Sequence, residues 1–152
     1  MIEARYRTDG TRGVLGESLA GLFIVESALT QPELFQRHAA ISPSLWWDDQ
    51  RLAARAAGLL AQHSAPPRLY LTLESEGDEM QAGFDQLVAA LGAVSPPSEQ
   101  GWCAVPRPDL RHSTTYHAVS PQALQFLFPY PGDEPPMEGF EPACSTAEEP
   151  AP

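Results

Sequence analysis

The sequence predicts an α/β fold, a mostly parallel sheet flanked by helices, and three observations predict it. Short β-type runs alternate with longer helical ones four times between residues 12 and 128, the order a parallel sheet requires because each strand needs a crossover before the next. One run, Arg68-Leu-Tyr-Leu-Thr-Leu73, is unmistakably strand-like. The run after it, Asp78 to Leu91, places Met80, Phe84, Leu87, Val88 and Leu91 at spacings of 4, 3, 1 and 3, a helical stripe. With 152 residues and 16.5 kDa, the chain has room for one domain with a sizeable core.

Taken in order, Arg12-Gly-Val-Leu-Gly-Glu17 is a short strand, followed by an apolar helix from about Leu19 to Leu29 that ends before Pro32. His38 to Ser42 is the next strand. Asp49 to Gln62 follows as a helix N-capped by an aspartate, with Leu52, Ala56, Leu59 and Leu60 on one face. After Arg68–Leu73 and the Asp78–Leu91 helix, a proline-rich stretch, Ala93 to Gly101, reads as a loop inside the domain. Trp102-Cys-Ala-Val-Pro106 is a weaker strand and Ser120 to Phe128 a closing helix. The domain thus covers residues 1–130. Residues 131–152 hold six of the 16 prolines, six of the 20 acids and no arginine, and read as a disordered Pro/Glu-rich tail.

Charge narrows the partners. Twenty acidic residues against nine basic ones give a formal charge of -11, the wrong sign for a nucleic-acid backbone or an anionic membrane surface. All nine basic residues are arginines, so lysine Schiff bases, a P-loop lysine and Ser-Lys dyads are excluded within this chain. The same bias hints at a GC-rich bacterial genome. Cys103 and Cys144, 41 residues apart, make neither a disulfide framework nor a zinc-ligand pattern. The longest apolar run, Leu19 to Val25, is too short to cross a bilayer, and the charged start Met-Ile-Glu-Ala-Arg-Tyr-Arg is unlike a signal peptide. The expectation is a cytoplasmic protein.

The sharpest motif is Gly16-Glu17-Ser18-Leu19-Ala20-Gly21, at the junction of a strand and an apolar helix. In a nucleophile elbow, Gly-x-Ser-x-Gly, the serine sits on a strained turn, small neighbours let backbones approach, and the helix N-terminus favours developing negative charge. Here Ala20 replaces the second glycine. The competing reading is a helix merely N-capped by Ser18. An activated serine needs a base, and among His38, His63, His112 and His117 only His112 and His117 follow the last strand, with position favouring His112. His63 reads as a solvated helix end, and His38 lacks polar company.

The orienting acid belongs on the loop after the penultimate strand, Glu74-Ser-Glu-Gly-Asp-Glu79. Gly77 lets the chain turn just beyond Glu76, which favours Glu76, with Glu74 and Asp78 close behind and Glu79 still open. Acids here also suit the first turn of the following helix. His112 and His117, five apart with no cysteine and no acid at helical spacing, do not make a metal site. No metal or cofactor is expected.

Tyr6 to Asp49, with Gly-Glu-Ser-Leu-Ala-Gly-Leu-Phe, Pro32-Glu-Leu-Phe35 and Ser42-Pro-Ser-Leu-Trp-Trp47, resembles the esterase family of α/β-hydrolases that includes siderophore (enterobactin and salmochelin) esterases and is similar to the esterase D and antigen 85 group. Leu69-Tyr-Leu and His112-Ser-Thr-Thr-Tyr116 resemble that family's C-terminal half, so the likeness runs from about Ile2 to Pro129. The resemblance implies a serine hydrolase that cleaves a carboxylic ester through an acyl-enzyme, without a cofactor and on a small-molecule substrate. Ser18 matches the nucleophile, the backbone N–H of Leu19 one oxyanion donor, and His112 the general base. Trp46 and Trp47 resemble substrate-pocket residues, although a tryptophan pair after a strand also serves packing. Where the family often has Gly-His-Ser, Glu17 precedes the serine, and Glu74 stands where a glycine is common.

Family members are about twice as long, so the likeness is to the C-terminal half of the fold alone. The nucleophile strand is then expected at a sheet edge, and one oxyanion donor is expected from an earlier loop. A missing N-terminal half or a second copy of the chain would cover that edge. The alternative reading is a truncated, non-catalytic remnant or interaction module of the same fold, and thioester or acyl-transfer chemistry would use the same residues.

Overall fold

A computed structural model of the chain describes residues 3–98, 101–129 and 144. The alternation is borne out as β1 (Gly13–Glu17), α1 (Leu19–Thr30), β2 (Arg37–Ile41), α2 (Trp47–Leu60), β3 (Leu69–Leu73), α3 (Asp78–Val94), β4 (Trp102–Pro106) and α4 (His112–Leu127). The strands form one sheet in the order β1-β2-β3-β4, with every neighbouring pair parallel. All four therefore point their C-terminal ends to the same rim, where parallel α/β sheets gather their functional loops.

Side chains alternate across the sheet and split the core in two. Leu69, Leu71 and Leu73 of β3, with Ala40, Trp102 and Ala104, pack on α1, α2 and α3 through residues such as Ile24, Leu60, Phe84 and Leu87. Ala39, Tyr70, Cys103 and Val105 face the other way, against Ala123, Phe126 and Leu127 of α4. β3 is buried along its whole length. β1 is an edge strand, as expected, with Gly13 exposed and Val14 and Leu15 half-buried.

Three expectations are corrected. The closing helix begins at His112 and not at Ser120, and Pro121 lies inside it. Ser120-Pro121 has the form of a helix start, but the start is made upstream, where the Arg111 N–H donates to Thr114 Oγ1 at 3.3 Å. The far end of α4 is held by arginines at the sheet's other rim: Arg37 donates to the Leu127 carbonyl and Arg68 to that of Phe126. Cations suit a helix C-terminus. Second, Asp49 does not cap α2. Asp48, Asp49 and Gln50 all have left-handed backbone angles, and the right-handed helix runs on from there. Third, Cys103 and Cys144 are joined in a disulfide, with Cα atoms 4.8 Å apart. Spacing along the chain gave no hint of this pairing, because contact between β4 and residue 144 is tertiary. The expected tail otherwise lies outside the described residues.

Candidate active site

Ser18 follows the last residue of β1 and precedes the first of α1, at φ 58° and ψ −121°. A non-glycine residue there is strained, and this is the turn an elbow requires. The Ser18 N–H donates to the Ile41 carbonyl at 3.0 Å and its carbonyl accepts from the Leu22 and Ser44 N–H groups at 2.9 and 3.1 Å, which hold the bend. Although Ser18 occupies the N-cap position, its hydroxyl makes no capping hydrogen bond. The small residues of the motif have distinct uses. A Cβ on Gly16 would lie 3.0 Å from Ala20 Cβ and 3.1 Å from Ile24 Cδ1, and one on Gly21 would lie 3.0 Å from the Ile41 carbonyl oxygen. The close approach of α1 to β2 thus falls on Gly21, while the exposed Ala20 has room for its Cβ because Gly16 carries none.

Glu74, one residue past β3, is 1% exposed. A buried carboxylate needs partners, and it has two: Ser42 Oγ donates to Oε1 at 2.7 Å, and His112 Nδ1 lies 2.9 Å from the same oxygen. Burial disfavours the charge, but the bonds from Ser42 and His112 outweigh it and lower the Glu74 pKa. Glu76, the acid favoured from sequence, comes within 3.4 Å of Nδ1 in a more open position. Its pKa is raised, by burial and by the charges of Glu74 and Glu17 against the opposing pull of His112. The hydrogen bond to the ring therefore belongs to Glu74. The physical reason is distance from the strand: Glu74, directly after β3, still continues the face of Tyr70 and Thr72 that α4 covers, whereas Glu76 is two residues further along the loop, past the end of the packed strand.

His112 opens α4 with its side chain 42% exposed. Burial opposes the imidazolium, yet the Glu74 bond and the charges of Glu76, Glu17 and Glu74 together raise the pKa. Glu17 has one carboxylate oxygen buried without a partner among the described residues. Its charge is one of those that favour the His112 imidazolium. Ser18 Oγ shares no hydrogen bond with the His112 ring among the described residues; its hydroxyl neighbour is Ser44 Oγ at 3.3 Å. The chain from Ser42 to Ser44 nonetheless ties the two, touching Glu74 and His112 through Ser42 and Ser18 through Ser44. Sequence reasoning assigned neither serine a role, although Ser-Pro-Ser stood in the quoted motif.

The other candidates are dispersed. His38 is 1% exposed with neither ring nitrogen bonded among the described residues, and burial lowers its pKa. His63 is not simply solvated: Nε2 lies 2.8 Å from the Leu29 carbonyl. His117 is exposed on α4. The N–H of Leu19, first residue of α1, is among those a helix leaves without an internal partner. Trp46 and Trp47 are 43% and 54% exposed with ring centroids 5.7 Å apart, so neither is core packing. Trp47 also lines a cavity of about 300 Å³ with Leu22, Glu26, Arg51, Leu52 and Arg55, which excludes Ser18, Glu74 and His112. Among the described residues, Glu74, Glu76 and His112 have possible ligand atoms within 4.8 Å of one another, a clustering that acidic groups commonly show without an ion. Such an ion would take Nδ1 from the carboxylate that orients it.

The sequence profile of the family described as "Putative esterase" matches residues 1–99. The chain belongs to this esterase family. It is 44% identical over 48 residues to the ferri-bacillibactin esterase BesA of Bacillus subtilis, a match covering 31% of this chain and 17% of that protein. It is also 33% identical over 70 residues to a siderophore enterobactin esterase of Emericella nidulans, covering 43% and 23%. In structure it is similar to the BES protein of Bacillus cereus, with a TM-score of 0.69, 23% identity, and coverage of 83% of this chain and 48% of that one. The esterase α/β-hydrolase architecture is thus shared, and the chain spans about half the length of that solved structure.

Proposed function

We propose that this chain carries the serine, histidine and acid of a carboxylic ester hydrolase. The observation that carries the reading is Ser18 on a strained strand-to-helix turn, at the same rim as an imidazole whose Nδ1 is bound to a buried carboxylate. With Glu74 accepting from Nδ1–H, Nε2 is the basic nitrogen. Ser18 Oγ attacks the ester carbonyl as its proton passes to Nε2, and the Leu19 N–H donates to the oxyanion that forms. The imidazolium then protonates the leaving alkoxide. Water, deprotonated by the same nitrogen, releases the acid and frees Ser18. The Glu74 carboxylate holds the ring and stabilises its charged form throughout, with Glu76 and Glu17 adding field.

The names of the relatives point to siderophore esters as the substrate class, with Trp46 and Trp47 available as exposed aromatic surface. The second oxyanion donor of such sites comes from an earlier loop with no counterpart among the described residues, and losing one donor costs about 100- to 1,000-fold in turnover. Full activity is therefore expected with the other half of the fold, in the same polypeptide or on a partner that pairs with β1. A fluorophosphonate probe tests the chemistry directly. Labelling of the folded chain that vanishes in Ser18→Ala is expected; a folded chain that stays unlabelled overturns the reading in favour of a non-catalytic interaction module.

A further inference from the structure

A second serine at the rim, given no part in the reaction above, extends that hydrolase reading and rests on it. Ser42 is fully buried and sits one residue past β2 at φ 44°, in the left-handed region that a side chain disfavours. Its N–H donates to the Thr72 carbonyl at 2.9 Å, which carries the β2–β3 ladder one step beyond the end of β2. This bond and the strained turn deliver its hydroxyl to Glu74 Oε1 at 2.7 Å. The same oxygen lies 2.9 Å from His112 Nδ1, and Ser42 Oγ is 3.4 Å from that nitrogen, closing a triangle. Glu74 Oε2 has no partner among the described residues, so Oε1 carries the anchoring of this carboxylate.

We propose that Ser42 is a positioning residue of this site, whose hydroxyl clamps Glu74 Oε1 against His112 Nδ1 and so keeps the ring proton on Nδ1. The geometry decides between two uses of the hydroxyl. At 2.7 Å its proton is committed to the carboxylate, while 3.4 Å to Nδ1 is too long to compete. Nδ1 must then donate, and Nε2 is left as the base. The clamp also moderates the base. The charged groups around the ring are Glu17 from β1, Glu74 and Glu76 after β3, and Arg111 beside it in the chain, so carboxylates predominate and favour imidazolium. A hydrogen bond donated to Glu74 draws charge from the oxygen that the ring faces and makes the pair release its proton more readily.

The test uses Ser42→Ala, which removes the hydroxyl, and Ser42→Gly, which removes it while relieving the positive φ. The His112 ring is titrated by NMR, its signal identified by its loss in His112→Gln, and fluorophosphonate labelling is measured against pH. Both variants are expected to move the His112 midpoint up by about one unit and to slow labelling about tenfold at neutral pH, with recovery at higher pH. An unchanged midpoint in either folded variant overturns the proposal, even if thermal stability falls, because a merely structural serine would not alter the titration. If the parent chain is not labelled at all, the hydrolase reading fails separately, and the midpoint still decides the role of Ser42.

Discussion

β1 and β3 each end one residue before a side chain of the candidate site, yet they hold it differently. β3 is buried along all five residues and passes directly into Glu74, whose carboxylate lies inside the protein with two partners. β1 is paired on one side only among the described residues, is half-exposed, and passes into a serine whose hydroxyl meets another hydroxyl at 3.3 Å. The orienting half of the site is therefore built on packed framework. The half proposed to attack hangs on an edge, where covering by further structure can still adjust it. A buried acid must be fixed, because a misplaced charge in the interior is costly; a nucleophile need only reach its geometry when substrate is bound.

The largest expected effect is at the proposed nucleophile: Ser18→Ala is expected to lower ester hydrolysis, measured with a chromogenic ester, by about 10³-fold or more. The two acids separate the framework from its surroundings. Glu74→Gln is expected to slow labelling by about 10² to 10⁴-fold, because an amide in that place supports the wrong ring tautomer, whereas Glu76→Gln should cost under about tenfold. Equal losses would contradict the division between the two carboxylates. In the strands themselves, Leu71→Ala in β3 should destabilise by about 2–5 kcal/mol, read from denaturant unfolding. Val14→Ala in β1 should cost about 1 kcal/mol or less, because its side chain is only half-buried.

The pH dependence is a finer discriminator. Hydrolysis needs neutral imidazole, so the raised His112 pKa puts the acid limb of the rate profile above the ordinary 6.5, and Glu76→Gln should bring it back down. Stability follows the same groups with opposite signs. The lowered Glu74 pKa contributes stability present above 4.5 and lost as pH falls through its folded value; the raised His112 pKa contributes stability present below 6.5 and lost as pH rises through its folded value. The pair should thus stabilise the fold most between these two ordinary values. Thermal unfolding of the parent and of His112→Gln across that range should diverge most there.

Local sequence was enough for the strand and helix alternation, because each element declares itself through the spacing of its own apolar residues. It was enough, too, for the strand-serine-helix junction at Ser18 and for a histidine after the last strand. The start of α4 is hidden because Ser120-Pro121 imitates a helix beginning, and the break in the first turn of α2 because left-handed angles at Asp48 to Gln50 leave no trace in residue type. Which carboxylate meets His112, what Ser42 does, and where Cys103 finds its partner all depended on the three-dimensional arrangement. Those pairs lie 38, 32 and 41 residues apart. Periodicity reports which face of an element is buried; it does not report which neighbour a parallel sheet's register will bring to that face, or how far past the end of a strand a side chain is still held inside the core.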